Sequence, residues 1–104
     1  MIAASALIIS ACGSDEPADP TKLDASSSLA CQDLRTAIND SSYLIKTNRA
    51  KIAADFGDRA GSTATTRVRD AAPVLARSTS GNAKVWQLGM DTAAAACLDS
   101  GFGK

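Results

Sequence analysis

Apolar residues recur with a helical period through most of this chain, and no stretch alternates apolar and polar residues as a strand would. Between residues 28 and 57, the apolar side chains fall within a narrow arc when successive residues are placed 100° apart. These side chains are Cys31, Leu34, Ile38, Ile45, Ile52 and Phe56. The pattern predicts an all-α fold, a small helical bundle of three or four helices.

The first helix is predicted to start at Ser28, which can act as its N-cap, and to end at Gly57 or Gly61. The polar stretch Asn39–Ser42 lies inside it, and such residues compete for backbone hydrogen bonds, so the helix could break there. The apolar arc stays in register across this stretch, which favours one long helix. The alternative is a break at residues 39–42 and a shorter four-helix bundle.

A second helix is predicted after the glycines, with Ser62 or Thr63 as its N-cap. Pro73 lies within it and lacks a backbone donor, so we expect the helix to kink or to restart near Asp70. The apolar side of this helix is expected to hold Ala64, Val68, Ala71, Ala72 and Leu75.

A third helix is predicted from about Ala83 to Asp99, after a turn at residues 78–82. Asn82 is its expected N-cap, and the glycines at 101 and 103 are expected to end it. Small residues at Gly89 and Ala96 would let a neighbouring helix approach closely. The apolar side of this helix carries Trp86, Met90, Ala93 and Cys97.

The first eleven residues are apolar or small and carry no charge. A bilayer-spanning helix needs about 20 residues, whereas the apolar core of a secretory signal needs only about 7–15. The run ends in Ile9–Cys12 (ISAC), which resembles a bacterial lipobox. The resemblance implies cleavage between Ala11 and Cys12 and a diacylglycerol on the Cys12 thiol. That lipid would anchor the chain to the outer face of the cytoplasmic membrane.

The opening run departs from a secretory signal in one respect, because the first basic residue is Lys22. The alternative is that residues 1–12 form a buried helical turn with a core cysteine. The acidic, polar stretch that follows favours the signal, because it has too little apolar surface to fold and is typical of a tether. The predicted organisation is a signal peptide at 1–11, lipidated Cys12 and a tether at 12–27, and a helical domain at 28–104.

The chain has three cysteines, so lipidation of Cys12 would leave Cys31 and Cys97 as a pair. Export would place this pair in an oxidising compartment, which favours a disulfide over two free buried thiols. A disulfide needs Cα atoms within about 7 Å, whereas a simple up-down-up bundle would put these two at opposite poles. Either a long first helix packs against the other two laid end to end, or four short helices form. The first arrangement is favoured.

The sequence offers little for catalysis or for a cofactor. It has no histidine, and its one glutamate lies in the predicted tether, so a Ser-His-Asp or Cys-His arrangement is impossible. No Cys-X-X-Cys spacing occurs either, so no metal site is expected. Asp33 and Asp40 lie on a polar helix face and are interpreted as solvated charges. The chain is predicted not to be an enzyme.

Four residues are candidates for contact with a partner. The formal charge is zero and the tether is acidic, so the helical domain is mildly basic. Arg67 and Arg69 belong to an arginine cluster that could contact an acidic protein or anionic headgroups. Trp86 is expected mainly as a core anchor and secondarily as a contact residue. Tyr43 falls off the apolar arc and is expected to be exposed. Nucleic acid is not an expected partner of an exported chain with few aromatic residues.

The whole chain resembles the small, alanine-rich, cysteine-paired lipoproteins of actinobacteria and of some of their phages. The resemblance rests on the lipobox, the acidic tether, an alanine content of about a fifth, and the pairs Ala30-Cys31 and Ala96-Cys97. The anchor, the tether, the disulfide-stapled helical body and the lack of a catalytic arrangement predict a non-catalytic lipoprotein that contacts an unknown envelope protein, with phage superinfection exclusion as one version. The alternative is a haem or lipid carrier with a groove lined by Trp86, Met90 and the first helix, and with Tyr43 as a haem ligand.

Overall fold

The structure is a computed structural model that describes residues 19–103. This part of the chain contains four α-helices and no strand, which confirms the predicted all-α fold. The helices are α1 (Ala25–Asn39), α2 (Arg49–Ala60), α3 (Thr66–Ser78) and α4 (Ala83–Asp99). Two short 3-10 turns, Ser42–Leu44 and Lys46–Asn48, connect α1 to α2.

The four helices close into a bundle, because each packs against its neighbour in sequence and α1 also packs against α4. Small residues fill much of the core and allow close helix packing. The larger buried side chains are Leu34, Phe56, Val68, Leu75, Trp86 and Met90, and the smaller ones include Ala30, Ala53, Ala60, Ala71 and Ala93.

The prediction of one long first helix is wrong, and the four-helix alternative is the arrangement found. α1 ends at Asn39, and the Asp40 carboxylate then accepts a hydrogen bond of 2.9 Å from the Ser42 amide. Ser41 has a φ of 61°, in the left-handed region that a helix cannot continue through. Side chains of the polar stretch therefore satisfy the backbone outside the helix, as their chemistry allows.

The break redistributes the apolar arc. Cys31, Leu34 and Phe56 are buried as predicted, but Ile38 is 38% exposed and Ile45 is 54% exposed. Their register on a continuous helix had placed them in the core. Because the chain reverses between α1 and α2, that register does not carry over from one helix to the next.

α1 begins three residues before its predicted start, and its N-cap is Asp24 rather than Ser28. The Asp24 carboxylate accepts from the Ser27 amide at 2.9 Å, and the Ser27 hydroxyl accepts from the Asp24 amide at 2.9 Å. This reciprocal pair is a capping box. Ordered structure extends further back still, because the Thr66 amide donates to the carbonyl of Pro20 at 3.0 Å.

The helix ends in the middle of the chain are confirmed only in part. Gly61 caps the C-terminus of α2 as predicted, but α3 has Thr65 as its N-cap, and Ala64 precedes the helix. The Thr63 hydroxyl instead accepts a hydrogen bond of 3.1 Å from the Thr65 amide, before the helix begins, and donates to Asp24. α3 runs through Pro73 without restarting, and Pro73 lies on the exposed side, where water can satisfy the freed carbonyl.

α4 matches its prediction at both ends. Asn82 accepts a hydrogen bond of 2.9 Å from the Val85 amide and caps the helix, and the predicted apolar face of α4 is buried. Gly89 lies against α3, as its small size suggested. A Cβ atom placed on Gly89 would lie only 2.6 Å from the Cβ of Ser78.

Candidate functional site

The predicted disulfide is present between Cys31 and Cys97, whose Cα atoms lie 5.8 Å apart. In a four-helix up-and-down bundle the start of α1 and the end of α4 lie at the same pole, so the topology brings the two cysteines together. Both are nearly fully buried. The other predicted modification residues, Ala11 and Cys12, lie outside the described residues, so cleavage and lipidation stay predictions.

Trp86 is a core residue, 3% exposed. Its Nε1–H donates a hydrogen bond of 2.8 Å to the carbonyl oxygen of Tyr43, and Tyr43 packs against the core and is half-buried rather than exposed. Met90 is also buried. Trp86 and Met90 therefore line no open groove, and the indole offers no exposed surface for the predicted partner contact.

Arg67 and Arg69 are both exposed on α3. The Arg67 guanidinium lies 3.2 Å from the carboxylate of Asp99 on α4, and that of Arg69 lies 3.9 Å from the carboxylate of Asp70. Solvated ion pairs of this kind contribute at most about 1 kcal/mol each. Both guanidinium groups therefore remain available to an acidic partner.

A shallow groove of about 430 Å³ runs between α3 and α4, and we call it the α3–α4 groove. Charged residues stand at one end and small or apolar residues lie along its floor. Its lining includes Arg67, Asp70, Val74, Thr92, Ala95 and Asp99. The mixture of charge and apolar floor is typical of the rim and centre of a protein contact surface.

A second groove, of about 250 Å³, lies between α1 and α4 above the disulfide, and we call it the α1–α4 groove. Its walls are almost entirely apolar. They are formed by Leu34, Ile38, Ala94, Leu98 and Phe102 with the two cysteines, and Arg35 stands at the edge. The Arg35 guanidinium carbon lies 4.8 Å from the centroid of the Phe102 ring, a cation–π contact.

The turn after α4 places Phe102 in this groove. The Phe102 amide donates to the carbonyl of Cys97 at 2.9 Å, and the Gly101 amide donates to that of Leu98 at 3.0 Å. Gly101 has a φ of 101°, which completes a Schellman motif. The sequence predicted that Gly101 ends the helix, but it gave no reason to assign Phe102 or Arg35 to a site.

Sequence reasoning also missed Arg49, which is 8% exposed at the start of α2. Its Nη1 donates a hydrogen bond of 3.0 Å to the carbonyl of Gly81, and its guanidinium carbon lies 5.7 Å from the Trp86 ring centroid. Its Nε finds no hydrogen-bond partner among the described residues. Arg49 thus joins α2 to the turn before α4, a structural role that no motif in the sequence predicts.

Asp24 has the most strongly perturbed carboxylate of the described residues. Burial alone would raise its pKa, but hydrogen bonds from the Thr63 hydroxyl and from the amides of Ser27 and Ala64 outweigh that effect. These donors hold the pKa of Asp24 well below its ordinary value of 3.8. The carboxylate fastens the start of α1 to the loop before α3, so its role is structural.

Among residues 19–103, no group of three or more His, Cys, Asp or Glu side chains is placed to hold a metal ion. Within the same range, no helix has both the length and the apolar composition needed to cross a membrane. Comparison with protein-family models, with curated proteins and with solved structures found no match to this chain.

Proposed function

We propose that this chain is a lipid-anchored protein of the outer face of the cytoplasmic membrane that acts, without catalysis, by contact with another envelope protein. The observation that carries the proposal is the Cys31–Cys97 disulfide. Such bonds are typical of exported proteins. This one uses two of the three cysteines and leaves Cys12, at the end of the lipobox-like Ile9–Cys12, outside the bridge.

The tether would keep the bundle close to the membrane. The carbonyl of Pro20 accepts a hydrogen bond from the Thr66 amide of the bundle, so seven residues, 13–19, separate Cys12 from this contact. A flexible linker of that length spans roughly 15 Å. The partner would therefore be a protein at the membrane surface, either a host envelope protein or the incoming machinery that a phage superinfection-exclusion lipoprotein blocks.

The α3–α4 groove is the proposed contact surface. Arg67 lines the groove, and Arg69 lies two residues further along α3; both remain exposed. Val74 and Ala95 supply apolar area between the helices. An acidic segment of the partner would pair with the arginines. Charge complementarity of this kind speeds association and fixes orientation more than it adds affinity.

Lipidation is tested by metabolic labelling with radioactive palmitate in an actinobacterial host. Wild-type protein should take up the label and stay with the membrane fraction, whereas Cys12→Ala should do neither. The double variant Cys31→Ser, Cys97→Ser is the matched control, since it loses two cysteines but should keep the label. Equal labelling of wild type and Cys12→Ala would refute the anchor.

The contact is tested by placing a photo-crosslinking amino acid at Thr92, inside the α3–α4 groove, or at Ala54, on the exposed side of α2. Crosslinking at Thr92 should capture one envelope protein, and Arg67→Glu with Arg69→Glu should abolish that adduct. Ala54 should give no such adduct. Identical adducts from both positions, or an adduct that survives charge reversal, would contradict the assigned surface.

A further inference from the structure

We propose that the α1–α4 groove binds the alkyl chain of a free fatty acid, with Arg35 holding its carboxylate at the edge of the groove. This proposal does not depend on lipidation at Cys12, nor on the contact assigned to the α3–α4 groove. It would give the bundle a ligand site of its own, on the opposite face of α4 from the arginines of α3.

The lining of the groove selects an apolar ligand. Its walls are the side chains of Leu34, Ile38, Leu98 and Phe102, and its floor is the disulfide. Ile38 and Leu98 are 38% and 57% exposed, so apolar surface stands in water around the opening. Such walls offer almost no hydrogen-bonding group to a polar ligand, whereas an alkyl chain needs none.

The volume of the groove selects one narrow chain. At about 250 Å³ it falls below the roughly 300 Å³ at which pockets for drug-sized ligands begin. A haem or another broad ring system would not fit. A phospholipid has two acyl chains, and one of them would remain in water. A free fatty acid has a single alkyl chain, so the groove favours a fatty acid over a phospholipid as its ligand.

Arg35 selects the charge of the ligand. Its side chain is exposed, and the Phe102 ring holds its guanidinium beside the opening. Among residues 19–103, no carboxylate lies within 4.0 Å of Arg35. A guanidinium pairs with a carboxylate through two parallel hydrogen bonds, so a fatty-acid headgroup would supply the partner that the bundle does not.

Calorimetric titration tests the site. The full 104-residue chain carries Cys12→Ala, so that no acyl chain of its own competes, and it keeps its disulfide. Octanoate, decanoate and dodecanoate are added below their micelle concentrations. We expect one molecule per chain, with affinity rising about fourfold per methylene until the groove is full. Dodecyltrimethylammonium has the same chain and the opposite charge, and we expect it to bind at least about tenfold more weakly than dodecanoate.

Two matched pairs of variants locate the binding. Leu98→Gln is compared with Leu88→Gln, because both leucines lie on α4 and are 57% exposed, but only Leu98 lines the groove. Leu98→Gln should weaken dodecanoate binding about tenfold, and Leu88→Gln should leave it unchanged. Arg35→Gln should abolish the preference for dodecanoate over the cationic amphiphile, whereas Arg77→Gln on α3 should preserve it. Thermal unfolding by circular dichroism confirms that each variant folds.

Four results would overturn the proposal. The first is equal weakening by Leu98→Gln and Leu88→Gln, and the second is equal affinity for the two amphiphiles of opposite charge. The third is binding to vesicles of an anionic diacyl phospholipid with no binding to monomeric fatty acid, which would make the groove a membrane contact. The fourth is a ligand-free dimer in analytical ultracentrifugation that Leu98→Gln dissociates, which would make the occupant a second copy of the chain.

Discussion

The indole nitrogen of Trp86 donates a hydrogen bond of 2.8 Å to the main-chain oxygen of Tyr43. Tyr43 lies in the 3-10 turn that follows α1, and Trp86 lies in the first turns of α4. A carbonyl withdrawn from water outside a regular helix needs a donor. The side chain of α4 therefore satisfies a backbone group at the place where the first helix is interrupted.

Replacing Trp86 by Phe should lower the free energy of unfolding by about 2 kcal/mol, because the Tyr43 carbonyl loses its donor and the core loses volume. For a domain of this size, that corresponds to a fall in the melting temperature of roughly 10 °C. Tyr43→Phe is the control, since it keeps the carbonyl and removes only the phenol hydroxyl. Equal melting temperatures for Trp86→Phe and the wild type would show that the bond is dispensable.

Gly89→Ala and Gly57→Ala should change stability in opposite directions. A Cβ on Gly89 would lie 2.6 Å from the Cβ of Ser78, so α3 and α4 must separate, at a cost of about 1–3 kcal/mol. A Cβ on Gly57 would meet nothing within 4 Å, and alanine favours the helix by up to about 1 kcal/mol. Urea unfolding of both variants measures the difference. A neutral Gly89→Ala would mean that the two helices are not in tight contact there.

The free energy of unfolding should fall as the pH drops below about 4, in part because of Asp24. Its pKa is held below the ordinary value of 3.8 in the folded state, so the unfolded chain takes up the proton more readily, and acid favours unfolding. Asp24→Asn should remove this part of the acid dependence and lower stability at pH 7. Asp40→Asn, at the other end of α1, is the control. Urea titrations between pH 2 and pH 7 would measure both effects, and an unchanged acid slope in Asp24→Asn would contradict the assignment.

Loss of the disulfide should destabilise the bundle by about 4 kcal/mol, since the bond spans 66 residues of sequence. The double variant Cys31→Ser, Cys97→Ser should therefore have a melting temperature far below that of the wild type. Cys12→Ala is the control and should melt at the same temperature as the wild type. Intact mass after alkylation without reductant should show no modified thiol at Cys31 or Cys97. Two alkylated thiols in exported protein would refute the bond.

Local signals in the sequence predicted the parts of the fold that local chemistry decides. α4 matched at both ends because Asn82 caps it and Gly101 supplies the left-handed residue that ends it. The break after α1 was not favoured, because Ile38 and Ile45 keep a helical register across it. The chain reversal after α1 depends on two hydrogen bonds, from the Ser42 amide to the Asp40 carboxylate and from the Trp86 indole to the Tyr43 carbonyl. Trp86 is distant in sequence, so no local pattern predicts its contribution.

The candidate sites were predictable to different degrees. The disulfide followed from counting cysteines, once Cys12 was set aside. The α1–α4 groove did not follow, because Ile38 was assigned to the core by its periodicity. Its exposure reflects the limited packing of α1 against α4, the least extensive of the four neighbouring helix pairs. The position of Phe102 beside Arg35 depends on a turn that reverses the chain, which periodicity does not describe.

The disulfide also determines how this domain would respond to a pulling force. Tension applied between residue 19 and residue 103 passes along the start of α1 to Cys31, crosses the covalent bond to Cys97, and leaves through the final turn. Residues 32–96 lie in the loop closed by that bond, so the covalent path of the tension bypasses them. Force reaches them only through contacts such as the hydrogen bonds from Thr63 and Ala64 to Asp24. A force applied at residue 19 would peel away the Asp24 cap and the first turns of α1. The chain between the two cysteines, with most of the bundle, would stay folded.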